Sequence, residues 1–112
     1  METLFEKIAA GQIPAEILHR DDVCFVLRDI APQAPVHLLV VPLKPIPDLA
    51  AAGDGDGALL GHLLATVRKM GQRFVPSGEY RVVINCGAAA GQTVPHLHIH
   101  LLAGRDFSWP PG

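Results

Sequence analysis

The sequence is poor in the residues that mark several large functional classes. Only 2 of its 112 residues are cysteines, Cys24 and Cys86, far apart and without a Cys-x-x-Cys spacing. Neither a disulfide framework nor a zinc-ribbon pattern fits such a pair, and a reducing compartment is expected. Charge is scarce as well: 9 Lys and Arg against 11 Asp and Glu leave a net charge of -2. A chain so balanced lacks the electrostatic footprint of a nucleic-acid binder or of a protein held on an anionic membrane. No run of about 18 apolar residues is present, so no membrane span is expected. The first residues, Met-Glu-Thr-Leu-Phe-Glu-Lys, carry charge where a secretory leader would be apolar, and a cytoplasmic location is the expectation. Repeats and long linkers are missing too, which makes residues 1–112 a single domain.

What the chain does have is apolar residues, 49% of the total, enough for a core and suggestive of surface covered by a partner. Thr3 to Glu6 reads as a capping box. The short helix it opens sets Leu4, Phe5 and Ile8 on one face and stops at Gly11 and Pro14. Apolar runs at Glu16–Arg20, Val23–Arg28 and Val36–Val41 read as strands, the first two joined through Asp21 and Asp22 as a hairpin. Pro42, Pro45 and Pro47 forbid regular structure until about Asp54. From Ala58 to Phe74 the spacing of Leu59, Leu60, Leu63, Leu64, Val67, Met70 and Phe74 is helical, with Arg68, Lys69 and Arg73 on the wet side. Strands at Tyr80–Cys86 and His96–Leu102 complete an α+β domain with a five-stranded antiparallel sheet, one long helix and one short helix.

The chemistry concentrates between Asn85 and His100. Strand alternation puts His96, His98 and His100 on one face and Leu97, Ile99 and Leu101 on the other. The apolar face is core, but three imidazoles in a row need a further reason. A metal site is one reading. His96 and His100 lie about 13–14 Å apart along a strand, too far for one tetrahedral ion, though two of the three with His37 or a carboxylate could ligate. The other reading is a nucleophilic imidazole, whose second ring nitrogen keeps its proton on a backbone acceptor while the flanking histidines tune it. Gly91, Gln92 and Thr93 then offer amide protons, a side-chain amide and a hydroxyl to a phosphate, with Asn85 beside them if the two strands pair.

The segment Pro95-His-Leu-His-Ile-His-Leu-Leu102 resembles the signature of the histidine triad (HIT) superfamily. Its flanks, Asn85-Cys-Gly-Ala-Ala-Ala-Gly-Gln-Thr93 and Gly104-Arg-Asp-Phe-Ser-Trp-Pro-Pro-Gly112, are similar to the branch of histidine triad nucleotide-binding proteins. So are Arg28-Asp-Ile-Ala-Pro-Gln-Ala-Pro-Val-His-Leu-Leu-Val-Val-Pro42 and Phe5-Glu-Lys-Ile-Ala-Ala-Gly-Gln-Ile-Pro-Ala15, so that the likeness covers essentially the whole chain. The resemblance implies a HIT-like fold and a two-fold homodimer with joined sheets. It also implies a purine nucleoside phosphoramidase that hydrolyses the P–N bond of adenosine or guanosine 5′-phosphoramidates, with no cofactor and no metal required. In that scheme His98 is the nucleophile that forms a nucleotidyl-histidine, His96 and His100 flank it, and His37 supports the site. Asn85, Gly91, Gln92 and Thr93 fall on phosphate-contacting positions. Asp29 matches the carboxylate that holds the ribose hydroxyls, and Leu4, Phe5, Ile8, Leu27, Arg28 and Ile30 surround the purine. Trp109 is placed by the resemblance near the partner subunit's pocket, against the leaving group.

Cys86 and Ala88–Ala90 depart from the more polar stretch usual in that branch, and Thr93 stands where serine is common while keeping the hydroxyl. Cys86 is expected to be a buried thiol, and His19 and His62, outside the motif, to be surface residues. Three rival functions remain at this level: dinucleoside polyphosphate hydrolysis by the same histidine, a metal-dependent hydrolase, and a non-catalytic purine-nucleotide-binding module.

Overall fold

The computed structural model describes residues 2–112. Helix α1 (Leu4–Ala9) begins with the expected capping box: the Thr3 hydroxyl accepts the Glu6 N–H and the Glu6 carboxylate accepts the Thr3 N–H. Strands β1 (Ile17–Arg20) and β2 (Cys24–Arg28) form the hairpin. Its turn is fixed by Asp21, whose Oδ1 accepts the N–H groups of Val23 and Cys24 at 2.8 and 2.9 Å. Then come β3 (Val36–Pro42), α2 (Gly57–Phe74), β4 (Tyr80–Val83) and β5 (Ile99–Ala103). The strands form one antiparallel sheet in the order β1-β2-β3-β5-β4.

The boundaries differ from the sequence reading in three places. The proline-rich stretch after β3 holds two short 3-10 turns, Leu49–Ala51 and Asp54–Asp56. Strand β4 ends at Val83, and Ile84 to Cys86 leave the ladder toward the loop. Strand β5 begins only at Ile99, so His96 to His98 approach the sheet without ladder bonds, although their side chains keep the alternation.

The sheet has two unlike faces. Against one lies α2, which brings Leu63, Val67 and Met70 onto Cys24, Val26, Leu38, Val40, Leu97, Ile99 and Leu101. Burying such side chains stabilises by about 1.5–3 kcal/mol each, and this is the main core. The helix passes β4 closely enough that a Cβ on Gly71 would come within 2.7 Å of the Tyr80 ring and would have to push it aside. The other face carries a smaller cluster, Phe5 and Ile8 from α1 with Phe25, Leu27, Leu39 and Val41. Beside that cluster sit the histidines. No described helix is long and apolar enough to cross a membrane.

Candidate active site: four histidines with fixed protons

Each imidazole of the site has its tautomer dictated, directly or through the next ring, by a main-chain group that can only donate or only accept. His98 Nδ1 lies 2.7 Å from the His96 carbonyl oxygen, so that nitrogen carries the proton. Its Nε2 is therefore an unprotonated lone pair with no protein partner among the described residues. No buried side-chain nitrogen or oxygen among these residues is without a partner, so Nε2 is open to the cleft that His98 lines. His96 is anchored at both ends: Nε2–H donates to the Pro42 carbonyl at 2.8 Å, and Nδ1 accepts the Thr3 hydroxyl at 2.8 Å. The Phe5 ring stands edge-on to both imidazoles, 5.7 Å from His96 and 5.0 Å from His98.

A second chain of protons runs from β3. The Gln33 N–H donates to His37 Nδ1 at 3.0 Å, which leaves the His37 proton on Nε2. That proton is directed to His100 Nδ1 at 2.9 Å, with an Asp29 carboxylate oxygen at 3.4 Å. His100 in turn keeps its proton on Nε2, a donor available to the cleft that His100 also lines. Burial holds His37 and His96 below the ordinary imidazole range, the Asp29 carboxylate opposing it at His37. His100 is pushed down to about 4 by burial and by the neighbouring His98 and His37. These three rings are neutral at pH 7, and each acts through a fixed N–H or lone pair rather than through charge.

The cleft has a volume of about 250 Å³ and gathers residues from distant parts of the chain. Leu4, Phe5, Ile8, Leu27, Arg28, Asp29, Ile30 and Thr93 line it with His98 and His100, together with Ile13, Pro14, Ala15, Leu39 and Val94. Ile30 is 92% exposed and Leu4 42% exposed at its rim, apolar surface with no protein cover. Asp29 is anchored through Oδ1, which accepts the Ala31 N–H at 2.8 Å. Arg28 borders the cleft, yet its guanidinium belongs elsewhere: it lies 5.4 Å over the Phe74 ring of α2 and pairs with Glu16 at 3.1 Å. Only the rest of Arg28 faces the cleft.

The loop between β4 and β5 turns through a 3-10 helix at Ala88–Ala90 and a left-handed Gly91 with φ +99°. Asn85 packs beside Gly91, its Nδ2 about 3.6 Å from where a Cβ on that glycine would sit. The Gln92 side chain is engaged within the protein. Its Oε1 accepts the Gly87 N–H, and its Nε2 donates to the Pro47 and Val94 carbonyls at 2.7 and 3.0 Å. The main-chain N–H groups of Gly91 and Gln92 also close the turn on Ala88 and Gly87. The Thr93 hydroxyl and His100 Nε2–H are donors at the cleft that His98 lines, and the Asn85 amide lies beside Gly91 on the same loop as Thr93. Cys86 is exposed on this loop rather than buried, because β4 ends before it.

Two placements lay outside the reach of local patterns. Thr3 reads in sequence only as a helix cap, but its hydroxyl also sets the His96 tautomer across 93 positions of chain. His19 and His62 keep partly exposed side chains and meet on Asp21, a convergence of β1 and α2 that no local pattern shows. Trp109 is 83% exposed and is not among the residues that line the cleft. Asp29, His37 and His100 could bring three ligand atoms to a metal, all within 4.8 Å of one another, although each already has a hydrogen-bonding role.

The HIT domain family matches residues 10–107. An uncharacterized HIT-like protein of Synechococcus elongatus is 54% identical over 111 residues, covering 99% of this chain and 97% of that one. The solved structure of a HIT family hydrolase from Legionella pneumophila superposes with a TM-score of 0.94 at 43% identity, covering 99% of this chain and 100% of that one. A histidine triad nucleotide-binding protein from Candida albicans follows with a TM-score of 0.83 at 28% identity, over 97% and 83% of the two chains. Whole-length identity to such relatives, the shared sheet and the ordered histidines lead to one conclusion: this chain belongs to the HIT family.

Proposed function

We propose that the protein is a hydrolase of purine nucleoside 5′-phosphoramidates, working through a nucleotidyl-histidine at His98. The observation that carries this reading is the 2.7 Å bond from His98 Nδ1 to the His96 carbonyl, which leaves Nε2 as a lone pair at the cleft. The nucleotide-binding relative from Candida albicans supports the choice of ligand. In the first step His98 Nε2 attacks the α-phosphorus, the P–Nε2 bond forms, and the P–N bond breaks with its electron pair going to nitrogen, which takes one proton from water so that the amine leaves neutral. The cation growing on the ring is stabilised by the Nδ1–H bond to the carbonyl. Water then cleaves P–Nε2, releasing the nucleoside monophosphate and restoring the lone pair. Asn85, Thr93 and His100 Nε2–H are the donors suited to the phosphoryl oxygens. Gln92 acts one layer back, by holding the loop on Pro47 and Val94.

The rest of the nucleotide has matching chemistry. Leu4, Phe5, Ile8, Leu27 and Ile30 offer an apolar slot for a purine, and the Asp29 carboxylate at its edge can accept a cis-diol. A two-fold dimer with joined sheets fits the same reading: β4 is an edge strand with Val82 39% exposed, and the exposed Trp109 would gain a surface to pack on. Purified protein should release AMP from adenosine 5′-phosphoramidate with chelator present, and His98→Ala should lower kcat/KM by about a thousandfold or more. Near wild-type turnover of His98→Ala refutes the mechanism. Activity abolished by chelator and restored by zinc supports a metal hydrolase instead, and preferential cleavage of dinucleoside polyphosphates moves the substrate class.

A further inference from the structure

On the helix face of the sheet, away from the cleft, a second cluster of metal-binding side chains converges on one atom. Asp21 Oδ1 is saturated by the Val23 and Cys24 N–H groups. Its Oδ2 is met by His19 Nε2 at 2.8 Å, His62 Nε2 at 2.9 Å and Cys24 Sγ at 3.8 Å. Three donors from β1, β2 and α2 thus aim at a single carboxylate oxygen. The ligand atoms of His19, Asp21 and Cys24 already lie within 4.8 Å of one another, and His62 reaches the same oxygen from α2.

We propose that His19, Asp21, Cys24 and His62 form a site for a tetrahedral divalent cation of the zinc class, which pins the β1–β2 turn to α2. Tetrahedral zinc with bonds of about 2.0–2.3 Å sets its ligand atoms about 3.3–3.6 Å apart. His19, Asp21 and Cys24, already within 4.8 Å of one another, would close on an ion by modest side-chain shifts, and His62 would join them by rotating from its present bond to Asp21 Oδ2. The donor set of two imidazoles, one carboxylate and one thiolate suits zinc in kind. It also balances charge: a 2+ ion with one carboxylate and one thiolate is neutral, which a half-buried position tolerates. On binding, the Cys24 S–H bond breaks, the Zn–S bond forms and one proton goes to solvent. The two imidazoles keep their protons by moving them from Nε2 to Nδ1. Cys24 is fully buried at the floor of the site, while the side chains of His19, Asp21 and His62 are 28%, 29% and 37% exposed at its mouth, so an ion has an entry path. Thr66 Oγ1 lies 3.6 Å from the sulfur while its hydroxyl donates to the His62 carbonyl at 2.8 Å, tying the floor of the site to α2. The residues are independent of the histidine triad, so this site stands or falls apart from the catalytic reading.

Chelator-stripped full-length protein titrated with cobalt(II) should show a tetrahedral ligand-field spectrum with a thiolate-to-cobalt charge-transfer band, and Cys24→Ser should remove that band. Zinc titrated against a chromophoric chelator should bind one ion here with release of one proton, and His62→Gln or His19→Gln should weaken it at least tenfold. Circular dichroism checks that each variant is folded, and the wild-type cobalt spectrum needs no variant at all. No charge-transfer band in the wild type overturns the proposal. So does zinc affinity that is unchanged in both histidine variants but lost in His37→Gln, because the ion would then sit among Asp29, His37 and His100.

Discussion

The two faces of the sheet are built from the same strands by opposite rules. On the helix face the alternating positions Leu97, Ile99 and Leu101 lie among aliphatic neighbours and make almost no directional contacts. On the other face His96, His98 and His100, one residue out of step, sit beside an apolar cluster less than half as large and are tied by hydrogen bonds. The helix face holds the molecule together by area, and small changes there cost stability. The histidine face spends its polar groups on fixing protons, so that small changes there cost orientation. A strand can serve both roles because its period of two keeps the sets apart.

The comparison can be broken most strongly from the helix face. Leu63→Ala, at a fully buried position under the sheet, should cost about 2–5 kcal/mol of stability. Denaturant melts should show this loss, while kcat of the remaining folded protein stays within about twofold. A fall in kcat without loss of stability would mean that the two faces are not separable.

Mild acid should act first on the histidine face, before the helix-face carboxylate of Asp21, held well below its usual range, against its burial, by its bonds to His19, His62, Val23 and Cys24, begins to take up protons in the unfolded chain. His37, His96 and His100 have folded pKa values below the ordinary 6.5, with His100 at about 4. Between those limits the unfolded chain binds more protons than the folded one, so stability is full above about pH 6.5 and falls as the pH drops toward 4. Urea melts across this window should show the loss, and His100→Gln should reduce its slope. A stability flat from pH 7 to 4 would contradict the assigned neutral rings.

Thr3→Val keeps the shape of the side chain and removes its hydroxyl. The cap loss should cost about 1 kcal/mol, and the unanchored His96 Nδ1 should lower kcat about tenfold with little change in KM. Thr3→Ser should restore both. The smallest effect is expected from the tail. Deleting residues after Gly104 should lower kcat/KM a few-fold for arylamine phosphoramidates and leave an ammonia leaving group unaffected. Equal losses on both substrates would make the tail structural.

Much of this was legible because it is periodic or local. The leucine spacing of α2, the Thr3–Glu6 box and the alternation from His96 to Leu101 each lie within a few residues, where sequence spacing determines geometry. The partners that assign the protons were not legible. The Pro42 and His96 carbonyls and the Gln33 N–H carry no side-chain signature, and Thr3 meets His96 only after the whole sheet has formed. Gln92 shows the same limit from the other side. Its type suits a phosphate, but the backbone of its own loop and of Pro47 claims the amide first. Arg28 is a parity case: strand alternation sends its guanidinium to the α2 side, over Phe74. Ending β4 at Val83 likewise frees Cys86 to face solvent.

Holding His98 Nδ1 on the His96 carbonyl should make Nε2 the nucleophile. Mixing the protein with an adenosine phosphoramidate, quenching within one turnover and mapping the adduct by mass spectrometry tests it directly. An acid-labile adenylyl group on His98, attached through Nε2, is expected. An adduct on His96, His100 or His37, or turnover with incorporation of solvent oxygen and no adduct at any time point, would contradict it.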